Sequence, residues 1–321
     1  MKLHKLAKSI LLSSGLALAV VITGQVSAAA PMVKQSAPGF YRIMLGDFEL
    51  TVLSDGTVDL PMDKLLQQPS ETTTAQLAES FLTAPVESSV NAYLINTGQK
   101  LVLIDSGAGS LFGPTLGKLL QNLQASGYEA AQIDEILITH MHPDHVGGLA
   151  GEQQRVFPNA VVRASGQDAD YWLSQSQMDS APEDSKGFFQ GAMASLNPYV
   201  SAKQFQPFSD SGQIMPGISA VSTPGHTVGH TSYVIQSNGQ TLWVIGDLIH
   251  AAAVQFAHPQ VTIDFDTEPK QAQITRQKVF TDLAVGKVML GATHIQFPGL
   301  GHLRKLDDGF GWVPVNYQRI R

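Results

Sequence analysis

One segment of this 321-residue chain, ILITHMHPDHVGGL at positions 136–149, restricts its possible folds more than any other. The first three residues are an uninterrupted apolar run, which predicts a buried β-strand. Pro143 and the pair Gly147–Gly148 then predict a turn. The polar side chains that could bind a metal between this strand and the end of the turn are His140, His142, Asp144 and His145.

These side chains predict a metal site at a strand end. Side chains two residues apart on an extended backbone point to the same face, so His140 and His142 can reach one cation. The turn directs Asp144 and His145 toward a second position nearby. The chain has ten histidines, and three of them fall within these six residues, which favours a metal site over the alternative of a polar loop without ligands.

The pattern His-x-His-x-Asp-His after an apolar strand resembles the signature of the metallo-β-lactamase superfamily. The resemblance implies an α/β fold, the αββα sandwich, in which two facing mixed β-sheets are flanked by helices and carry two metal ions at one edge. It implies one metal on His140, His142 and His226, a second on Asp144, His145 and His294, and Asp247 as the bridge. Asp144 and Asp247 would also be the catalytic carboxylates beside a metal-bridging hydroxide.

The ligand types limit which metals fit. Nitrogen and oxygen donors without sulfur favour two zinc ions per chain, and they also suit manganese, cobalt or iron. The chain contains no cysteine, which excludes disulfides, a thiolate nucleophile and a Cys metal ligand.

The order of apolar strands supports this ligand set. The predicted strands 242–245 and 288–290 run into Asp247 and His294, and strand ends are where layered α/β folds collect their sites. Asp105 follows strand 101–104 and is interpreted as an outer partner of a metal-binding histidine, with turn capping as the alternative.

Three further histidines need separate interpretations. His302 competes with His294 for the last ligand position, but it lies in a Gly-rich loop and not at a strand end. His230 is interpreted as a hydrogen-bonded structural residue. His250 could line the pocket or act as a second proton shuttle.

The first 38 residues differ from the rest. Lys2, Lys5 and Lys8 precede an apolar stretch and a small-x-small site at 26–28, which predicts a cleaved signal peptide at 1–28, with a membrane anchor as the weaker alternative. The protein is then expected to be secreted or periplasmic, without a stable membrane anchor after cleavage. Residues 29–38 are a predicted flexible lead-in, and 39–321 a single hydrolase domain. Cleavage would change the formal net charge from −7 to −10, which argues against nucleic acid as a partner.

Several local elements are predicted from pattern alone. Strands are expected at 40–45, 48–53, 90–95, 101–104 and 160–163, with a surface excursion at 56–87 that includes a short helix at about 74–81. A helix at 114–126 would bury Leu116, Leu119, Leu120 and Leu123. Ser165 and Asp168 have capping-box spacing. In the segment 186–196, one of Phe188 and Phe189 is expected in the core and the other at a cavity. Later elements are a strand at 242–245, a helix at 269–284 and a strand at 288–290.

A narrower resemblance covers nearly the whole predicted mature chain. Stretches such as FYRIMLGDFELTVLSDGTV, SKGFFQGAMASLNPYV and GDLIHAAAVQF are similar to methyl parathion hydrolase and related secreted organophosphorus hydrolases. That family implies a homodimer and an aromatic, apolar substrate pocket. The matching pocket positions are Leu65, Phe112, Trp172, Ser185, Phe188, His250, Ile263 and Phe265. Four of these depart from the family pattern: Leu65, His250, Ile263 and Phe265.

The sequence therefore predicts a dimetal hydrolase of small uncharged esters. The preferred substrates are organophosphate triesters such as methyl parathion or paraoxon. The alternative is a lactonase or aryl esterase with phosphotriesterase as a side activity, and a remote alternative is a metal-binding protein without turnover. A β-lactamase is disfavoured because dizinc members usually have Cys where this chain has Asp247, and the 27 residues after His294 leave no room for a glyoxalase-II-type helical domain.

Overall fold

Two large sheets are built from strands that span most of the chain. The computed structural model describes residues 30–34, 36–151, 154–209 and 211–320. The strands are β1 Phe40–Leu45, β2 Phe48–Leu60, β3 Val86–Asn96, β4 Leu101–Ile104, β5 Glu135–Leu137, β6 Ala150–Gly151, β7 Gln154–Arg155, β8 Val161–Arg163, β9 Gly212–Met215, β10 Ile218–Ser222, β11 Thr231–Ser237, β12 Gln240–Val244, β13 Met289–Gly291, β14 Leu300–Lys305 and β15 Phe310–Pro314. The α-helices are α1 Met62–Leu65, α2 Ser70–Glu79, α3 Leu119–Ala125, α4 Pro143–Val146, α5 Gly166–Trp172, α6 Gln175–Ser180, α7 Lys186–Ser201, α8 Ala252–Gln255 and α9 Pro269–Gly286.

Both large sheets are mixed. The first has the order β1-β2-β3-β4-β5-β8, and the second has the order β15-β14-β13-β12-β11-β10-β9. Strand β5 pairs in parallel with β4 and β8, and β12 pairs in parallel with β13. The other neighbours within these sheets are antiparallel. Parallel neighbours need crossover connections, and long connections of this kind carry α3 and α9.

The buried side chains show how the layers stack. One apolar cluster contains Ile43 and Val52 from the first sheet together with Ile235 and Leu242 from the second, so the two sheets face each other. A second cluster packs α3 and α7 on the outer face of the first sheet, and a third packs α9 on the outer face of the second. The αββα sandwich predicted from the sequence is therefore confirmed.

Strand β2 and helix α3 differ from their predicted limits. Strand β2 continues to Leu60 across a register shift at Ser54/Gly56. Helix α3 begins only at Leu119, because the buried carboxylate of Asp55 accepts hydrogen bonds from the backbone N–H groups of Ala108, Gly117 and Leu119 and holds the preceding residues as a loop. Leu120 points outward with 37% of its surface exposed, so its predicted place in the core is wrong.

The start of α5 is also only partly as predicted. Ser165 caps the helix, since its hydroxyl accepts a hydrogen bond from the backbone N–H of Gln167. Asp168 does not complete a capping box, because its carboxylate bonds groups outside the helix. In α7 the aromatic pair divides as predicted: Phe189 is buried in the core, and Phe188 is half-buried at a cavity.

The layered fold belongs to one compact unit of the chain. Residues 37–321 cluster as one compact unit. The described residues 30–34 and 36–38 have no regular secondary structure, and the predicted signal peptide at 1–28 lies outside the described residues. Among the residues that the structure describes, none of the helices combines the length and apolar character needed to cross a bilayer.

Tyr199 gives a stability prediction for the α7 layer. Burial raises the pKa of its phenol to about 12, so above the ordinary value near 10 the unfolded chain loses a proton that the folded chain keeps. Stability present below pH 10 is therefore lost as the pH rises toward 12. We expect Tyr199→Phe to make this slope shallower by up to about 1.4 kcal/mol per pH unit, measured as urea unfolding at pH 9 to 11.5. Identical slopes would contradict the prediction.

The same variant should be less stable at pH 8. The Tyr199 hydroxyl donates to the carbonyl of Leu149 (2.9 Å) and accepts from the backbone N–H of Phe157 (3.1 Å). Phenylalanine would leave the backbone N–H of Phe157 unpaired, at a cost of about 1–3 kcal/mol, while the Leu149 carbonyl would keep the hydrogen bond that it accepts from the Val156 N–H (2.9 Å).

Candidate metal centre

The seven candidate ligands converge at one edge of the two sheets. His140 and His142 follow β5, and the backbone of His142 is extended. Helix α4 begins at Pro143, which places Asp144 and His145 in its single turn. The other three come from the second sheet: His226 lies between β10 and β11, Asp247 follows β12, and His294 follows β13. All are buried except Asp144, which is partly exposed.

Three histidines form the first group. Ligand atoms of His140, His142 and His226 all lie within 4.8 Å of one another. The His226 Nε2 atom is 3.1 Å from His142 Nδ1, and the ring centroids of His140 and His142 are 4.6 Å apart. Buried imidazoles this close are suited to sharing one cation.

Two carboxylates and two histidines form the second group, Asp144, His145, Asp247 and His294. Asp247 Oδ1 is 3.2 Å from His145 Nε2, and Asp247 Oδ2 is 3.1 Å from His294 Nε2. The same Oδ2 atom is 3.5 Å from His226 Nε2 in the first group. Asp247 therefore lies between the two groups, as expected of a bridging ligand.

The polar atoms of this centre fit bound cations. Buried atoms without a hydrogen-bond partner among the described residues include His140 Nε2, His145 Nε2 and Asp247 Oδ1. Unpaired buried polar atoms are costly, and a metal ion satisfies them. Their convergence at one point indicates that the residues present suit a metal pair.

The pKa shifts in the centre agree with this. Burial, with help from neighbouring imidazoles, lowers the pKa values of His140 and His142 well below the usual range, which keeps their lone pairs free for a metal. Burial opposes charge on His145, but the carboxylates of Asp247, Asp144 and Asp105 outweigh it and raise the pKa of His145 well above its ordinary value. The second group therefore favours a positive charge at this point.

Outer partners orient the ligand rings. The carboxylate of Asp105 lies 2.8 Å from His145 Nδ1 and also accepts from the backbone N–H of Thr139, which matches the outer role predicted from the sequence. His226 Nδ1 is 3.0 Å from Asp266 Oδ1, and His294 Nδ1 donates to the carbonyl of Ser89 (3.0 Å). Sequence reasoning missed Asp266, which lies 40 residues from His226 in the loop before α9.

The remaining histidines are placed as follows. His230 is fully buried; its Nε2 accepts the backbone N–H of Asp247, and its Nδ1 lies 2.8 Å from the Thr223 hydroxyl, which is a structural role. His302 is half-buried in the middle of β14, away from the groups described. His250 Nε2 is 3.1 Å from Asp247 Oδ2, and the ring stacks on His294 with centroids 5.1 Å apart.

An apolar cavity of about 100 Å³ opens above the centre. Its walls contain Phe112, Phe188, His250 and Phe265, four of the predicted pocket residues. The ligands His142, Asp144, Asp247 and His294 form its floor, and Val58, Leu60 and Leu116 complete it. None of the described residues that line it is Lys or Arg.

The other predicted pocket residues lie elsewhere. Trp172 and Ser185 line an adjoining cavity that shares His142, Phe188 and Phe265 with the first. The Trp172 ring packs edge-on against His142. Leu65 and Ile263 do not line the cavity above the centre. Ile263 is fully buried in an apolar cluster with Met62, and Leu65 packs against that cluster. The prediction that these two side chains line the substrate pocket is therefore corrected.

The comparison with protein families agrees with this geometry. The model of the metallo-beta-lactamase superfamily matches residues 85–284, which is more than half of the chain. This chain belongs to the metallo-β-lactamase superfamily. It is a metal-dependent hydrolase of that superfamily, and its His/Asp groups match the dizinc site typical of it.

Known relatives of this superfamily member cover most of its length. The crystal structure of AbOPH, a hydrolase in the beta-lactamase superfamily, is 35% identical, covers 89% of this chain and 100% of its own, and has a TM-score of 0.85. AidC, a dizinc quorum-quenching lactonase solved with N-hexanoyl-L-homoserine, is 28% identical, covers 88% and 99%, and has a TM-score of 0.81. The uncharacterized protein YobT of Bacillus subtilis (strain 168) is 28% identical over 63% of this chain and 84% of its own length.

Proposed function

We propose that this superfamily member is a dimetal hydrolase of small uncharged esters, with lactones and aryl esters as its main substrates. The observation that carries the proposal is the apolar, aromatic cavity that lies directly on the two ligand groups and has no cationic side chain among its described walls. Such a cavity favours a neutral substrate with an apolar body.

The proposed ligands are the seven residues predicted from the sequence. His140, His142 and His226 would hold one cation, Asp144, His145 and His294 would hold the other, and Asp247 would contact both. Two bound divalent cations would supply an activated water and stabilise the negative charge that develops on the ester oxygen. The metals are proposed to be zinc.

The protein side chains would exclude water, hold the apolar part of the substrate and transfer a proton. Phe112, Phe188 and Phe265 would exclude water from the reacting ester and pack against its apolar part. Asp144, partly exposed at the cavity floor, is proposed to orient the attacking water and carry its proton away.

His250 favours lactones over phosphotriesters as the main substrates. Burial lowers the pKa of this imidazole to about 4, so the ring is neutral at pH 7, and it faces the cavity. A neutral imidazole can donate a hydrogen bond to the departing oxygen. The alkoxide released from a lactone needs that help, whereas an activated nitrophenolate does not. The likeness to the lactonase AidC supports the same choice.

Phosphotriesters are the second candidate substrates. The sequence resemblance to methyl parathion hydrolase, together with the aromatic cavity walls, supports activity on paraoxon-type esters. The departures at His250 and Phe265, which line the cavity, place this activity second.

A substrate panel tests the proposal. The purified, zinc-loaded protein would be assayed with dihydrocoumarin, an acyl-homoserine lactone, an aryl ester, paraoxon and a β-lactam. We expect the highest kcat/KM on a lactone or the aryl ester, measurable activity on paraoxon and none on the β-lactam. Tight zinc binding without turnover of any ester would instead show a metal-binding protein, and dominant paraoxon hydrolysis would reverse the order of the two substrate classes.

His250→Leu should change the balance between the two classes. Leucine keeps the cavity apolar but removes the hydrogen-bonding ring beside Asp247. We expect the ratio of phosphotriester to lactone kcat/KM to rise about tenfold, mainly through a loss of lactone turnover, which corresponds to the loss of one hydrogen bond to a reacting oxygen. Steady-state kinetics on paraoxon and on an acyl-homoserine lactone, whose ring opening releases an alkoxide, would measure it. An unchanged ratio would show that His250 does not decide between the two substrate classes.

Location and assembly are proposed from the sequence. Secretion follows from the predicted signal peptide, and N-terminal sequencing of the secreted protein would test cleavage near residue 28. A homodimer follows from the family resemblance, and light scattering of the purified protein would test it.

A further inference from the structure

Asp168, on α5, is a fully buried carboxylate that is neither a proposed metal ligand nor part of the substrate cavity. Its Oδ2 atom accepts hydrogen bonds from the backbone N–H of Met141 (3.1 Å) and from the hydroxyl of Thr227 (3.0 Å). Its Oδ1 atom accepts from the backbone N–H of Gly229 (2.7 Å). One side chain on a helix thus connects two separate loops.

The donors identify which part of the metal centre these bonds support. Met141 lies between His140 and His142, and Thr227 directly follows His226. Asp168 therefore bonds the chain next to each member of the three-histidine group. The second group has its own outer carboxylate, Asp105, which contacts His145 and Thr139.

We infer that Asp168 is a positioning residue for the metal of the three-histidine group. This inference rests on the proposed dimetal function. Asp168 touches neither the metal position nor the substrate cavity, and it acts by fixing the loop that carries His140 and His142 against the loop that carries His226.

The packing around Gly229 supports a dedicated contact. A Cβ atom at this position would lie 2.5 Å from the backbone nitrogen of Asp168 and 2.9 Å from its Oδ1. Real Cβ atoms do not approach that closely, so only glycine lets the second loop come near enough to donate its N–H to the carboxylate.

Asp168→Asn tests this inference with the smallest change in side-chain shape. An asparagine has the same shape, but its NH₂ group must face either Gly229 N–H or Met141 N–H, so a buried donor loses its acceptor. Removing an outer partner of metal ligands typically weakens metal binding about 10- to 100-fold. We expect a Zn²⁺ dissociation constant raised by that factor at the three-histidine group alone.

Two single variants, each lacking one ligand, allow Zn²⁺ binding at the two ligand groups to be measured separately. In His145→Ala, where the three-histidine group remains complete, adding Asp168→Asn should weaken Zn²⁺ binding about 10- to 100-fold, measured by competition with a chromophoric chelator. In His142→Ala, where that group is already incomplete, adding it should leave the dissociation constant unchanged.

The outcomes distinguish this inference from the proposed function. Equal weakening in both backgrounds, or none in either, would overturn the positioning role while leaving the dimetal proposal intact. A wild-type protein that binds no Zn²⁺ would instead overturn the proposed function. If Asp168→Asn does not fold, as judged by circular dichroism, Thr227→Val removes a single donor and should give a smaller change with the same selectivity.

Discussion

Replacing Asp247 with alanine is expected to lower kcat/KM on every ester by more than about 100-fold, the upper end of the loss for an outer partner of a metal ligand. Asp247 is the residue whose carboxylate approaches both ligand groups, with Oδ2 3.1 Å from His294 Nε2 and 3.5 Å from His226 Nε2. Its removal would take a negative charge from between two cations, and their mutual repulsion would then favour release of one of them.

Metal content and kinetics measured together would test this. We expect Asp247→Ala to retain less than two Zn²⁺ per chain after dialysis and to be nearly inactive on both lactones and phosphotriesters. The matched control is Asp282→Ala on α9, an exposed carboxylate that pairs with Lys278 on the surface. It should behave as the wild type. An Asp247→Ala protein that keeps most of its activity and its metal would show that the mechanism is wrong.

The sequence predicted the convergence of the ligands because the required information is local. Each of β5, β12 and β13 contains a short apolar run followed within a few residues by a histidine or aspartate, and strand ends of this kind meet at a sheet edge. Periodicity also predicted that one of Phe188 and Phe189 lies in the core and the other at a cavity, since neighbours on a helix point in different directions. The structure buries Phe189 and places Phe188 at the cavity.

The carboxylates that hold the site together could not be predicted in this way. Asp55 and Asp168 bond groups that lie between 27 and 64 residues away in the chain, and Asp266 contacts His226 from a distance of 40 residues. Spacing carries no information about such contacts, because they depend on how separate loops pack. The same applies to the start of α3, where bonds to Asp55 override a pattern that favoured a longer helix.

Sequence resemblance predicted the residues that line the substrate pocket only in part. Leu65 and Ile263 match pocket positions by resemblance. In the structure, however, Ile263 lies in an apolar cluster that includes Met62 of α1 and Val254 of α8, and Leu65 packs against that cluster. Residues there act on the cavity only by supporting its walls, such as Phe265, which lies close in sequence to Ile263. A sequence match identifies equivalent positions, but not whether a side chain reaches the ligand.

His294 and His302 were both candidates for the last ligand position in the second group. The structure favours His294. His294 is buried, lies three residues beyond the end of β13, and places Nε2 3.1 Å from Asp247 Oδ2 and 3.4 Å from Asp144 Oδ2. His302 pairs opposite Met289 within the sheet, and an inner position of an antiparallel strand cannot turn its side chain toward the sheet edge.

We therefore expect His294→Ala to lose Zn²⁺ from the second group and to lower kcat/KM on dihydrocoumarin by more than about 100-fold. His302→Ala, which removes the same ring from the neighbouring strand, should retain both metals and the wild-type rate. Elemental analysis and steady-state kinetics on the two variants decide between the positions. If His302→Ala loses the metal and His294→Ala keeps it, the second group is wrongly assigned. Because the two histidines are only eight residues apart, a difference between them would measure the effect of position in the sheet and not of histidine content.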